Sequence, residues 1–255
     1  MNLIDTHCHL YSEEFTTDIR DVMKRAMDNG VTKFYLPAID SHAIQDMLSL
    51  EHEYPGICIA MMGLHPCYVK ENYREELRIV EEWLQKRSFV AVGEIGLDFY
   101  WDTSFVKQQM EAFTIQMQWA LDKQIPIVIH TRNAMDETIQ AVKPFAEKGL
   151  SGIFHCFSGS KDAARQVVDM GFYLGIGGVI TYKNGGLPEA LETIGLENLV
   201  LETDAPYLGP VPYRGKRNES SYLTYIAAKL AEVKGVPLAE VAAITTANAQ
   251  KIFGS

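Results

Sequence analysis

Residues 124–156 read QIPIVIHTRNAMDETIQAVKPFAEKGLSGIFHC. An apolar run, Pro126–His130, leads into a segment with helical period, Ala134–Glu147, and then into a second apolar run, Gly152–His155. Lys148-Gly149 between them reads as a helix C-terminal stop. Both runs are almost continuously apolar rather than alternating, as expected of parallel strands covered on both faces. The stretch is therefore a strand–helix–strand unit, and each of its strands ends in a histidine.

The same alternation continues in both directions. Further strands are expected at Leu3–Thr6, Lys33–Pro37, Ile57–Gly63, Phe89–Glu94, Phe172–Ile176 and Leu199–Glu202. Helices are expected at Thr17–Asn29, Ser41–Glu53, Arg74–Lys86, Phe105–Lys123, Lys161–Met170 and Leu187–Thr193, with a closing pair at Ser221–Val233 and Leu238–Phe253. Eight strand–helix alternations in 255 residues point to an α/β fold, a TIM-type (β/α)8 barrel rather than a doubly wound sheet. Without a linker, low-complexity tract or internal repeat, residues 1–255 read as a single domain.

The ionisable residues are not scattered over this pattern. His7 and His9 close the first strand, one residue apart, so that both project to one face while Cys8 turns to the other. Seven histidines give about 0.2 chance H-x-H pairs, so the pair alone says little. His65 follows the third strand, Glu94 ends the fourth, His130 the fifth and His155 the sixth, and Asp204 follows the eighth. Only His42 and His52 fall inside helical patterns, as surface residues do. In a β/α barrel, strand C-termini meet at one mouth, which is where such folds place their chemistry. His7, His9, Glu94, His130, His155 and Asp204 would be costly to gather there without a shared partner, and a divalent metal or a pair of metals is the natural one. Imidazole with carboxylate suits Zn, Mn, Fe or Ni, whereas an all-oxygen Mg or Ca site has no need of four histidines. Two ions bridged by Glu94 would activate a water and clamp a phosphoryl or carbonyl oxygen.

Composition limits the partners. The formal net charge is −10, against a protein that holds nucleic acid by a broad basic surface but not against a local phosphate grip. No apolar run approaches a membrane span, and no signal peptide is recognisable, so a cytoplasmic location without membrane contact is expected. The four cysteines lack C-x-x-C spacing and are expected as reduced, mostly buried thiols.

The motifs DTHCHL, GLHP, GEIGLDF, HTR, FHCFSG, LETDAPYL and RGKRNE, in this order from residue 3 to the C-terminal helix, resemble the TatD family of metal-dependent hydrolases, an amidohydrolase-type barrel. The resemblance implies that His7, His9 and Asp204 hold one divalent ion and that His130 and His155 hold a second. It gives Glu94 the bridging place. The ions would be Zn, Mn or Mg. Asp204 would double as general base, and His65 would contact a substrate oxygen. Glu202 could hydrogen-bond a ligand from the second shell, and Asp98 could orient a ligand histidine or cap its loop. Arg132 is a candidate phosphate contact. Arg214, Lys216 and Arg217 form a basic loop that is either solvated or a local phosphate grip. Where the family often has Pro after the N-E of that loop, this chain has Ser220, a departure that touches substrate preference rather than metal chemistry. Phe99-Tyr100-Trp101 either stack a base or cover the barrel rim.

The activity implied is a deoxyribonuclease that trims DNA ends or single strands by phosphodiester hydrolysis, as a monomer. The same site could instead cleave a carboxylic ester, an aminoacyl-tRNA ester or a cyclic amide. A non-catalytic metal-binding scaffold is the remaining alternative.

Overall fold

The computed structural model describes residues 1–183 and 185–254. Its strands are β1 (Leu3–Asp5), β2 (Val31–Pro37), β3 (Cys58–Met61), β4 (Val92–Asp98), β5 (Ile127–Arg132), β6 (Gly152–Phe154), β7 (Tyr173–Ile176) and β8 (Leu199–Leu201). Between and after them run α1 (Ile19–Asp28), α2 (Ile44–Glu53), α3 (Tyr73–Lys86), α4 (Val106–Lys123), α5 (Met135–Ala146), α6 (Lys161–Asp169), α7 (Leu187–Ala190), α8 (Leu223–Lys234) and α9 (Leu238–Phe253). Two parallel arcs, β1-β2-β3 and β4-β5-β6-β7-β8, make up the sheet. One seam is closed by the parallel bridge of Met62 with Val92. At the other, Thr6 N–H donates to the Leu201 carbonyl (3.0 Å) and Asp204 N–H to the His7 carbonyl (2.9 Å). The result is the expected α/β barrel.

Packing explains why one end of the barrel is dry and the other polar. Ile4, Tyr35, Met61, Ala91, Val128, Ile153, Tyr173 and Val200, one from each strand or its approach, form an inner apolar layer with Ala249 and Phe253 of α9. The Tyr35 and Phe253 rings stack with centroids 4.0 Å apart, so α9 seals this end. Strand side chains alternate, so the next inward positions lie two residues further along. Along β5 to β8 those positions are His130, His155 just past β6, Gly175, and Glu202 just past β8. Gly175 is needed there because a Cβ would fall 2.2 Å from Glu202 Oε2.

Element bounds move by up to four residues from expectation, and two of these shifts have a clear cause. The fourth strand is Val92–Asp98 rather than Phe89–Glu94, so Glu94 lies inside it. Its pairing with β5 steps from Gly93↔Val128 to Ile95↔Ile129. Glu94 is the unpaired residue of a bulge, a device that re-aims a side chain. The seventh helix stops at Ala190 rather than Thr193. The Lys234 ammonium takes the carbonyls of Leu191 and Ile194, so the chain turns away after one helical turn. Among the described residues no helix is long and apolar enough to cross a membrane.

Candidate metal centre

Every histidine expected at a strand end meets Glu94. Its Oε2 lies 3.2 Å from His7 Nε2 and 3.5 Å from His9 Nε2. Its Oε1 lies 3.2 Å from His65 Nε2, 3.0 Å from His130 Nδ1 and 3.1 Å from His155 Nε2. Asp204 Oδ1 completes the first group, 3.7 Å from His7 Nε2 and 3.5 Å from His9 Nε2. One carboxylate thus faces a separate set of imidazoles with each of its oxygens. His155 leans to both sets, because its ring stacks on that of His7 at 3.8 Å between centroids.

Hydrogen-bond accounting assigns the protons. Tyr11 Oη donates to the Pro37 carbonyl (2.6 Å), so it must accept from His9 Nδ1 (2.9 Å). Asp98 Oδ2 accepts from His130 Nε2 (2.9 Å). Glu202 Oε1 accepts from His155 Nδ1 (3.2 Å) and from the Cys156 N–H. In these three rings the nitrogen facing Glu94 is therefore an unprotonated lone pair when the ring is neutral. His65 is the reverse. Its Nδ1 accepts the Cys67 N–H (3.0 Å), so its proton sits on Nε2 and points at Glu94 Oε1. His65 is built as a donor rather than a metal ligand, although its atoms lie as close as those of the others. His7 Nδ1 is buried without a hydrogen-bond partner among the described residues.

These residues pass a direct test for a cation. Lone pairs of His130, His155 and His9 sit 3.0, 3.1 and 3.5 Å from a carboxylate oxygen, and such pairs repel unless a proton or a metal lies between them. Donors at zinc-like distances from one tetrahedral ion stand about 3.3–3.6 Å apart, close to the separations found. Electrostatics agree. Burial works against charge on His9, yet Asp204 and Glu94 raise it to about 9. His130 and His155 are also raised despite burial, by hydrogen bonds and charges from Asp98, Glu94 and Glu202. Burial disfavours ionised Glu94 and Asp204 too, but the surrounding histidines hold both below the usual carboxylate range. The carboxylates demand positive charge in this space, and protons on histidine are what a divalent cation would replace.

The remaining sequence candidates divide. Glu202 and Asp98 both hold a histidine of the cluster. Arg132 lies at the mouth, on β5 two residues beyond His130, with its guanidinium over the Tyr100 ring (3.7 Å to the centroid). Arg214 lies over the Tyr182 ring at 4.4 Å and is exposed, as is Lys216. Arg217 is a correction to the phosphate-grip reading. It forms a two-pronged pair with Asp18 (2.8 and 2.6 Å) and donates to the Glu14 carbonyl (2.6 Å). Its charge fastens the loop after β8 to the start of α1. Cys8 is buried away from the cluster, its thiol against the Tyr35 carbonyl. Sequence reasoning missed Tyr11, whose only signal is its place two residues after His9. It also missed Asp5, which accepts from Thr203 N–H (2.9 Å), Thr203 Oγ1 (2.6 Å) and Ser220 Oγ (2.6 Å) beside Asp204.

A family model described as TatD related DNase matches residues 4–254. A Bacillus subtilis (strain 168) protein, "Uncharacterized metal-dependent hydrolase YabD", is 38% identical across 98% of both chains. An Erwinia tasmaniensis protein named "3'-5' ssDNA/RNA exonuclease TatD" is 32% identical, covering 98% of this chain and 99% of its own. The crystal structure of YJJV, a TatD homolog from Escherichia coli K12, superposes with a TM-score of 0.93 at 29% identity, covering 99% of this chain and 98% of its own. Matched along nearly its whole length by that family and by relatives more than 30% identical, the chain belongs to the TatD family of metal-dependent hydrolases.

Proposed function

We propose that this hydrolase, acting as a single barrel domain, removes nucleotides from the ends of single-stranded DNA. The observation that carries the reading is the two-sided Glu94 carboxylate beside an exposed arginine, stacked on Tyr100, that no carboxylate neutralises among the described residues. Each Glu94 oxygen faces its own imidazole set. Among the described residues no carboxylate lies within ion-pair distance of Arg132, so its charge is left for a substrate anion. The name of the Erwinia relative supports a nucleic-acid substrate.

In this reading His7, His9 and Asp204 would hold one divalent ion, His130 and His155 a second, and Glu94 would serve both. Zn and Mn suit this donor set, and Mg is the third ion to test. When bound, such ions supply Lewis acidity at a phosphoryl oxygen and a lowered pKa for the attacking water. Asp204, whose carboxyl the surrounding histidines hold below the usual range against its burial, would accept a proton from the attacking water. His65, whose Cys67 hydrogen bond leaves its proton on Nε2, would turn that N–H from Glu94 Oε1 to a substrate oxygen. Arg132 takes a phosphate oxygen and stabilises the charge that develops.

The test uses metal-stripped protein reloaded with Mg, Mn or Zn in turn, with nucleotide release followed from an end-labelled single-stranded oligonucleotide. Asp204→Ala and Glu94→Ala should each lower the rate by at least ~100-fold in folded protein, the scale of a lost general base. Protein that binds two ions and releases no nucleotide with any of them would overturn the phosphodiester assignment.

A further inference from the structure

We propose that the loop after β4 is a nucleobase-stacking platform, on which Trp101 and Tyr100, flanking the Arg132 guanidinium, hold one unpaired base beside the metal centre. The inference rests on the nuclease reading and adds the element that would select single strands.

Exposure gives the first argument. Trp101 is 68% exposed and Tyr100 51%. Among the described residues the other large exposed apolar side chains near the mouth are Tyr68, Tyr207, Leu208 and Val211, all on loops that follow strands. Two adjacent aromatic side chains left in water at the rim of a polar site offer a surface for a ligand. A rim cover would bury the indole, which is not what Trp101 does.

Position gives the second. Asp98 Oδ1 accepts the N–H groups of Tyr100 (2.9 Å) and Trp101 (3.1 Å), while Oδ2 holds His130. One carboxylate thus fixes both the aromatic loop and a histidine of the metal centre. The Tyr100 and Trp101 rings meet edge to face, with centroids 4.9 Å apart and planes at 84°, so neither ring blocks the other's outer face.

Chemistry gives the third. The Arg132 guanidinium lies 3.7 Å from the Tyr100 centroid and 5.2 Å from that of Trp101. Aromatic faces and an unpaired cation together match the two ends of a nucleotide, its base and its phosphate. A paired base in duplex DNA hides its faces in the stack. A single-stranded one offers them, and stacking on an aromatic is indifferent to which base it is.

The experiment compares metal-loaded wild type, Trp101→Ala and Trp101→Phe on a single-stranded oligonucleotide and on strands made abasic at each of the terminal positions in turn. Trp101→Ala should raise KM about tenfold on the intact strand, the scale of one lost base stack, and Trp101→Phe should recover most of it. On the strand abasic at the stacked position, wild type and Trp101→Ala should converge. Cleavage of the intact strand by Trp101→Ala with an unchanged KM overturns the platform and leaves the nuclease reading standing. Failure of the wild type to bind or cleave any of the strands overturns both.

Discussion

Replacing Asp98 by Asn tests whether proton placement, rather than mere proximity, makes His130 a metal ligand. The side chain keeps its size, but its two ends are no longer alike. Asp98 Oδ1 receives two backbone N–H groups, from Tyr100 and Trp101. In Asp98→Asn the carbonyl oxygen must stay there, because an NH2 group cannot accept them. The NH2 group is then forced against His130 Nε2, which must give up its proton and accept. The His130 proton moves to Nδ1, the atom 3.0 Å from Glu94 Oε1, and the ligand lone pair is gone. Loss of a partner that orients a ligand costs about 10–100-fold in metal affinity, and here the orientation is inverted rather than loosened, so the upper part of that range is expected. Folding should suffer far less. A charge-assisted hydrogen bond becomes a neutral one, a loss of about 1 kcal/mol, or roughly 2–4 °C in a protein of this size. Asp98→Ala is the informative companion. It leaves His130 Nε2 without a partner but lets the ring choose either tautomer, so it should bind metal better than Asp98→Asn despite removing more atoms. Calorimetric titration of the stripped proteins with Zn or Mn, alongside thermal melts, reads both quantities. Equal or tighter metal binding by Asp98→Asn relative to Asp98→Ala would refute the tautomer argument.

Arg217→Ala should cost no more than about 1 kcal/mol, because Arg217 and Asp18 are both partly exposed, and should leave DNA hydrolysis intact. A tenfold fall in kcat/KM would return Arg217 to the substrate grip. The pairing is also pH-dependent: the Arg217 guanidinium, against burial, holds Asp18 below its ordinary 3.8. A depressed carboxyl contributes stability above its unfolded pKa and loses it as pH falls through its folded one. The melting difference between wild type and Arg217→Ala should therefore be full at neutral pH and shrink below 3.8. Gly175→Ala places a methyl 2.2 Å from Glu202 Oε2. It should displace Glu202 from His155 and lower metal affinity, and titration matching wild type would show that Glu202 is free to move. Phe253→Ala empties the inner layer under Tyr35 and should cost about 3–5 kcal/mol in a denaturant melt, and a loss below 1 kcal/mol would mean that α9 does not seal the barrel.

The sequence made the barrel legible where local pattern and global packing coincide. Runs such as Pro126–His130 are apolar because both faces of a parallel strand are covered, so few other assignments suit them. The fourth strand runs past its expected end because Gly93, Glu94 and Gly96 break the apolar run while the backbone continues through them to Asp98. The meeting of the strand-end histidines and acids at one place was legible for a related reason. In a barrel, the C-terminal end of every strand goes to the same mouth, so residues distant in sequence need no contact prediction to be placed together. Arg217 was not legible, because its partner Asp18 lies on another element and charge alone does not name its partner. The proton assignments were out of reach as well. They depend on the Cys67 N–H, the Pro37 carbonyl and the hydroxyl of Tyr11, none of which advertises itself as a site residue.

Among the cluster histidines, His7 is the one whose orientation depends least on hydrogen bonds. His9, His130 and His155 each have the second ring nitrogen tied to a named acceptor. His7 has none, and its ring is instead held by stacking on His155, with planes 12° apart. Burial pushes His7 towards neutrality, and the neighbouring His155 pushes it the same way, so the stacked pair resists carrying two protons. Glu202 and Glu94 favour a proton on His155 over one on His7, and the His7 ring stacked on it turns Nε2 towards Glu94 (3.2 Å) and Asp204 (3.7 Å). The orientation of His7 is thus inherited from Glu202 through His155. If this is so, Glu202→Ala should weaken binding at both ion positions, although Glu202 touches only one histidine. A titration in which only one of two ions is lost in that variant would mean that His7 holds its place without the stack.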